Sequence, residues 1–428
     1  MKHALPLLFA LCIGIVGASC TKDDGSTIGS KPVNQTELQN LIEIKNDYPE
    51  KLAQDNAFAF DLLRTTAKFD VKPNLMLSPL SIPMALNMTL NGAEGETRDE
   101  MLSALRTGGH TPEQVNAYSQ KLLQALTSVD PNTQLSVANL IWYRKGFPVL
   151  APFIETNRNS YDAAVEEADF AAPATLKRIN GWISDHTGGK IENALDNISE
   201  NAMMYLVNAI YFKSAWLTAF EKSAITDKPF RNSDGSTRSV PTMAQKNNLN
   251  YGKDEQASYL ELPYANKTFS MVLMLPHEDK TTGDVIGSLT SESWSAVLSG
   301  MSECRVDLNL PRFTFRDDYL LNEEILPEMG MQKAFDPEAA DFSSLVDFSR
   351  LPPESNVYIS RVIHKTFIEV AEEGTEAAAV TIVEGDMITS IGPQLARFHA
   401  DRPFLFAIKE NATGTILFLG QVGELGIE

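Results

Sequence analysis

Residues 367–403 read FIEVAEEGTEAAAVTIVEGDMITSIGPQLARFHADRP. The first half of this stretch has an unusual composition for a surface loop: from Thr375 to Val383 there is neither Pro nor Gly. At a period of two, Thr375, Ala377, Ala379, Thr381 and Val383 share one small, nearly neutral face. Glu376, Ala378, Val380, Ile382 and Glu384 share the other, which begins and ends on a carboxylate. Such a segment can enter a sheet as a strand with its small side inward, swinging on Gly374 as a hinge. The same Ala- and Glu-rich run also favours a short helix or a plain edge strand, and composition alone leaves these readings open.

Outward from this stretch, the chain is an ordinary globular sequence of 428 residues, 43% hydrophobic, and needs neither disulfide nor metal to bury a large core. Helix signals concentrate early. Thr111 is a cap, Pro112 opens the first turn, and Val115, Tyr118, Leu122 and Leu126 fall on one face; Asn56 to Leu63 reads similarly. Strand signals dominate late: Val306, Leu308 and Leu310 alternate with polar residues, and Phe269 to Leu275 and Ile416 to Leu419 are apolar runs. This order predicts an α+β body with mixed or antiparallel sheets, and no repeat or second linker divides residues 46–428.

The net charge of -20, from 36 Lys plus Arg against 56 Asp plus Glu, disfavours nucleic acid and anionic membrane surfaces as partners. Enzyme signatures are missing: no nucleophile elbow, phosphate loop, dinucleotide glycine pattern or zinc helix occurs, and the six His lie apart from one another and from Cys. No catalytic residue, metal or other cofactor is therefore assigned. Cys304 is the single thiol of the body, and burial in a strand is a better reading for it than reactivity.

At the start, Lys2 precedes an apolar run from Leu5 to Val16 and small residues before Cys20, the pattern of a secretion signal and not of a membrane span. Val16-Gly17-Ala18-Ser19-Cys20 resembles the lipobox of bacterial lipoproteins, although Gly17 departs from it; an ordinary cleaved signal is the alternative. The resemblance implies a signal peptide over 1–19 and acylation at Cys20. Thr21-Lys22-Asp23-Asp24 resembles the signal that sends Gram-negative lipoproteins to the cell surface. Residues 20–45 read as a flexible tether, with one or two helical turns around Leu38 to Ile44. The expected location is the outer membrane, held through the lipid alone.

Over nearly the whole body the residues resemble the serpin family. The match runs through Asn74 to Ile82, Gly92-Ala93, Ile179 to Trp182 with Thr187 to Ile191, Val207 to Trp216, Val240 to Met243, Glu261 to Tyr264, Leu310 to Phe313, Met329 to Met331 and Phe342-Ser343. It closes with the hinge Glu372-Glu373-Gly374-Thr375-Glu376-Ala377-Ala378-Ala379 and the ending Asp401 to Phe406 with Gly414 to Gly420. The resemblance implies one domain over 46–428 with three β-sheets, about nine helices and an exposed reactive-centre loop that can insert as a new strand. It implies suicide inhibition, in which the loop is cut as a substrate and then inserts before the acyl-enzyme is hydrolysed. By match, Ser78, Ser81, Asn208 and His364 belong to the shutter where central strands part, and Trp216 to the breach where the loop enters. Their implied role is a buried hydrogen-bond cluster that re-forms around a new strand.

The family's register puts the scissile bond between Ile388 and Thr389, with Met387 as the near alternative. No Lys or Arg lies in residues 384–391. That disfavours trypsin-like proteases and fits elastase-, chymotrypsin- or subtilisin-like serine proteases, or papain-like cysteine proteases. The expected partner is a target protease in a covalent acyl complex with a monomer. A non-inhibitory serpin acting as a surface binding protein is the alternative.

Overall fold

The computed structural model describes residues 31–199, 202–375 and 395–426. The first part is largely helical: α1 (Gln35–Asp47), α2 (Pro49–Phe69), α3 (Ser81–Leu90), α4 (Gly95–Ala104), α5 (Pro112–Ser128), α6 (Ala151–Tyr161) and α7 (Pro173–His186). Interleaved with them are β1 (Leu75–Leu77), β2 (Thr133–Arg144) and β3 (Ala164–Ala168). Strands then take over: β4 (Met204–Ala215), β5 (Thr226–Arg231), β6 (Thr237–Lys253), β7 (Ala257–Pro263) and β8 (Phe269–Pro276). After α8 (Thr282–Ser288) and α9 (Ser291–Gly300) come β9 (Ser302–Pro311), β10 (Phe313–Leu320) and the short α10 (Ile325–Glu328). The chain ends with β11 (Ile363–Ala371), β12 (Gly374–Thr375), β13 (Ala396–His399), β14 (Phe404–Glu410) and β15 (Ile416–Val422).

Local chemistry accounts for these boundaries. At α5 the Gln114 N–H donates to Thr111 Oγ1 at 3.4 Å while Gln114 Oε1 accepts from the Thr111 N–H at 2.9 Å, a reciprocal cap that satisfies two free N–H groups. At α1 the Thr36 N–H donates to Asn34 Oδ1 at 3.2 Å, and Leu41 and Ile44 are fully buried. Residues 35–45 are therefore part of the packed body, a correction to the tether read over 20–45. The polar composition there belongs to the helix's outer face, and the period-3.6 burial of Leu41 and Ile44 decides the matter.

Hydrogen bonding divides the strands into two sheets. One runs β10-β11-β12-β4-β2-β3. The other runs β1-β15-β14-β8-β7-β6-β9-β13, with β5 paired to β6. The 17-residue β6 changes partners along its length, from β5 through β9 to β7, and so joins two sections that would otherwise count as separate sheets. The β8, β14 and β15 runs lie at the centre of the main core. A smaller cluster, including Leu140, Trp142, Ile179, Ile183, Tyr205 and Ala209, fills the space between α7 and the outer face of the six-stranded sheet.

Candidate functional site

The two-residue strand β12 is the feature around which the hinge residues gather. From β11 the chain turns through Glu372 and Glu373 and returns between β11 and β4. Val370 pairs with Thr375 and Ala371 with Gly374 on one side; Ala215 pairs with Gly374 and Ser214 with Thr375 on the other. Both pairings are antiparallel. Among the described residues, no ladder joins β4 directly to β11.

Gly374 is required here twice over. Its φ is 153°, and a Cβ would stand 2.1 Å from the carbonyl oxygen of Ser214. Thr375 is 3% exposed, and its hydroxyl is 2.7 Å from that of Tyr264. The Tyr264 ring stacks on Trp216 with centroids 4.5 Å apart and planes 12° apart. Trp216, 2% exposed, donates its indole N–H to Ala371 O and its backbone N–H to Glu373 O, each at 2.9 Å. The Phe220 N–H donates to Glu372 O at 2.9 Å, so three successive carbonyls of the turn are held by one segment. Arg312 Nη2 lies 2.5 Å from the Glu372 carboxylate, whose side chain is 9% exposed. Lys222 pairs with Glu373 at the exposed rim, and that carboxylate raises the ammonium's pKa above its ordinary value. The rim pair contributes little in water; the part-buried Arg312 pair and the backbone bonds define the clamp.

Further down the same sheet, the Ser78 N–H donates to His364 Nε2 at 3.1 Å and the Ser78 hydroxyl donates to Leu417 O at 2.8 Å. The Ser81 N–H donates to Ser78 Oγ at 3.1 Å. His364 is 4% exposed, and burial pushes its pKa down to about 3. The ring is thus neutral, and because Nε2 accepts from a backbone N–H, the proton sits on Nδ1. Asn208 stands apart from this group. Its amide donates to Asn139 Oδ1 at 2.7 Å, while its own Oδ1 is buried with no partner among the described residues.

The structure thus brings Glu372, Glu373, Gly374, Thr375 and Trp216 into one clamp, and Ser78, Ser81 and His364 into one cluster, with Asn208 across the division on β4. Glu376, Ala377, Ala378, Ala379, Met387, Ile388, Thr389 and Cys20 lie outside the described residues. Tyr264 and Arg312 sit in stretches that the sequence singled out, yet no role attached to them there. Phe220, Lys222 and Asn139 carry no sequence signal at all, because their part depends on contacts far along the chain. Among the described residues no three His, Cys, Asp or Glu side chains converge as a metal site.

Comparison with known proteins bears on this geometry. The family model described as Serpin (serine protease inhibitor) matches residues 53–425. The human leukocyte elastase inhibitor is 34% identical over 386 residues, spanning 87% of this chain and 99% of that protein. The native state of tengpin, a thermophilic serpin, superimposes with a TM-score of 0.78 at 31% identity, covering 93% of this chain and 96% of that one. Thyroxine-binding globulin in complex with thyroxine gives a TM-score of 0.76 at 28% identity, with 88% and 99% covered. A chain with this two-sheet framework and the two-residue strand β12 between β11 and β4 falls in the class of α+β proteins with mixed sheets. It belongs to the serpin family.

Proposed function

We propose that this serpin inhibits proteases by adding residues after Thr375 to the six-stranded sheet as a full strand. The observation that carries the reading is β12, already antiparallel to both neighbours and followed by no direct β4–β11 ladder among the described residues. In unbroken register, Ala377 falls opposite Phe212 and Ile368, Ala379 opposite Ile210 and Thr366, and Thr381 opposite Asn208 and His364. The small face then meets the main core, and the Thr381 hydroxyl reaches the unpartnered Asn208 Oδ1. Val380 and Ile382 face outward toward Ala209, Val207 and Ile363 in the cluster under α7.

In this mechanism the protease nucleophile attacks the Ile388 carbonyl, the bond to Thr389 breaks, and the Thr389 nitrogen leaves as an amine. The loop, now free at one end and held on the protease as an ester of its serine or a thioester of its cysteine, inserts before water can hydrolyse that acyl bond. Targets with apolar primary pockets, elastase-, chymotrypsin- or subtilisin-like, or papain-like cysteine proteases, fit Ile388 or Met387. An acyl anchor at Cys20 would hold the inhibitor on the outer membrane, facing such enzymes outside the cell. The protein incubated with pancreatic elastase, chymotrypsin, subtilisin, papain and trypsin should give a protease-sized upward shift on a denaturing gel. The mass of the released C-terminal peptide then identifies the bond. Cleavage near Ile388 without a complex across the panel would favour the second reading, a binding protein that does not trap. The likeness to thyroxine-binding globulin is the observation on its side.

A further inference from the structure

A cavity of about 390 Å3 lies between β4 and the segment leading into β11. Its size falls within the range of about 300–1,000 Å3 in which small-molecule sites occur. Leu206 and Ile359 on its wall border the main core, whereas Val207 and Ile363 border the cluster under α7. The cavity therefore passes through the plane of the sheet. Met203 and Tyr358, also on the wall, are 41% and 42% exposed.

The polar groups of the wall are unevenly chosen. On a chain of net charge -20, the described lining residues include no Asp or Glu but do include Arg361 and Lys365. Lys365 is engaged by Asp318 at 2.5 Å, while Arg361 has no carboxylate partner among the described residues.

We propose that this cavity binds one amphipathic carboxylic acid, its chain in the apolar hole and its carboxylate against Arg361, and that occupancy withholds the sheet from the inserting loop. The second half rests on the strand-addition reading: in the register set by β12, Ile382 enters between Val207 and Ile363, two walls of the cavity. Ligand and strand compete for one space.

Dansyl-undecanoic acid is the direct probe, with oleate and oleyl alcohol as competitors on the full protein. Saturable 1:1 fluorescence enhancement, displaced by oleate and not by the alcohol at equal concentration, is expected. Arg361→Gln should weaken oleate several-fold, the loss of one charge-assisted pair at an exposed guanidinium. Val207→Trp should fill the cavity and abolish binding; should that variant fail a thermal-unfolding check, Arg361→Gln carries the test. Cleavage in the loop should abolish probe binding, and saturating oleate should slow complex formation with elastase several-fold. No saturable binding, equal displacement by the alcohol, or undiminished affinity in Arg361→Gln overturns the carboxylate site. Unchanged binding after cleavage overturns the competition. Absence of binding in a protein that traps proteases leaves the inhibitory reading intact, whereas binding without trapping under ligand-free conditions overturns that reading and not the site.

Discussion

Thr375→Arg separates strand addition from every mechanism in which the loop serves only as bait. Thr375 is 3% exposed, with β11 and β4 on either side and the Tyr264 hydroxyl as its partner. A guanidinium placed there must either be buried without a carboxylate, which costs several kcal/mol, or stay out of the sheet. Staying out forfeits the bond to Tyr264 and the ladder of two residues, about 2–3 kcal/mol at roughly 1 kcal/mol net per hydrogen bond. The hinge takes the second route, and the barrier to insertion rises by a similar amount, a slowing of about 30- to 150-fold. If wild-type insertion outruns deacylation by about tenfold, the variant falls several-fold behind, and most acyl-enzyme is hydrolysed. The assay is titration of elastase or subtilisin at rising inhibitor ratio, read on denaturing gels beside Thr375→Ser. The expected outcome is stable complex from wild type and Thr375→Ser, and cleaved chain with free protease from Thr375→Arg, whose thermal unfolding shows an intact fold. A folded Thr375→Arg variant that retains complex yield within about twofold of wild type would refute insertion at this position.

Tyr264→Phe removes the 2.7 Å contact and leaves the buried Thr375 hydroxyl unpaired, a loss of about 1 kcal/mol that should lower Tm by roughly 1–4 °C in a calorimetric scan and reduce complex yield only in part. Thr381→Val should leave the intact protein unchanged yet lower the unfolding temperature of the cleaved form, because Asn208 Oδ1 then stays unpartnered after insertion; an equal shift in both forms would argue against the register. Between about pH 6.5 and 3 the native His364 stays neutral while the unfolded chain takes up a proton, so its contribution is present above pH 6.5 and falls with acidification by about 1.4 kcal/mol per unit; Asp317, its carboxyl pushed up to about 6 by burial from an ordinary 3.8, works in the opposite sense between those values. Denaturant titrations from pH 7.5 to 4.5 should therefore show a steeper acid loss in Asp317→Asn than in wild type, and identical slopes would contradict these assignments. Cys20→Ala should move the protein from the membrane to the soluble fraction, and continued membrane retention would dispose of the lipid anchor.

What could be read from the chain and what could not follows from the distance over which each feature is decided. The cap of α5 and the alternation in β9 are set by neighbours a few residues away, and both stand where the sequence places them. The two-faced pattern after Gly374 is also set by near neighbours and is legible as a potential strand, but beyond Thr375 it lies outside the described residues. The partners are another matter. That Thr375 lies opposite both Ser214 and Val370 depends on pairing across long stretches of chain, which a single sequence does not encode in its local periodicity. The same holds for β6, whose change of partner joins sheet sections that the resemblance counts separately, and for Phe220 and Asn139, ordinary residues until the fold brings them to the turn and to Asn208. The full extent of α1, of which one or two turns around Leu38 to Ile44 are legible, is hidden for a different reason: its apolar positions are few, and a polar helix with a narrow buried stripe is compositionally close to a tether.

The proposed register would also assign distinct work to the two faces of the segment after Thr375. A residue ordered between two strands gains about two backbone hydrogen bonds, roughly 1 kcal/mol net each, against about 1–2 kcal/mol of lost backbone freedom. The ladder alone therefore comes close to balance and cannot drive insertion far. Side chains decide the outcome. On the core side the proposed register would bring Ala377 and Ala379 against Phe212, Ile368 and Ile210, large residues already in place, so the entering group must be small and its contribution would be a low barrier. On the outer side the same register would bring Val380 and Ile382 against Ala209, Val207 and Ile363 beside a cavity, where added apolar volume would be buried at about 1.5–3 kcal/mol per side chain. In the proposed insertion, speed would thus reside in the inward residues and driving force in the outward ones, and Thr381, arriving between Asn208 and His364, would close the Asn208 Oδ1 acceptor that has no partner among the described residues.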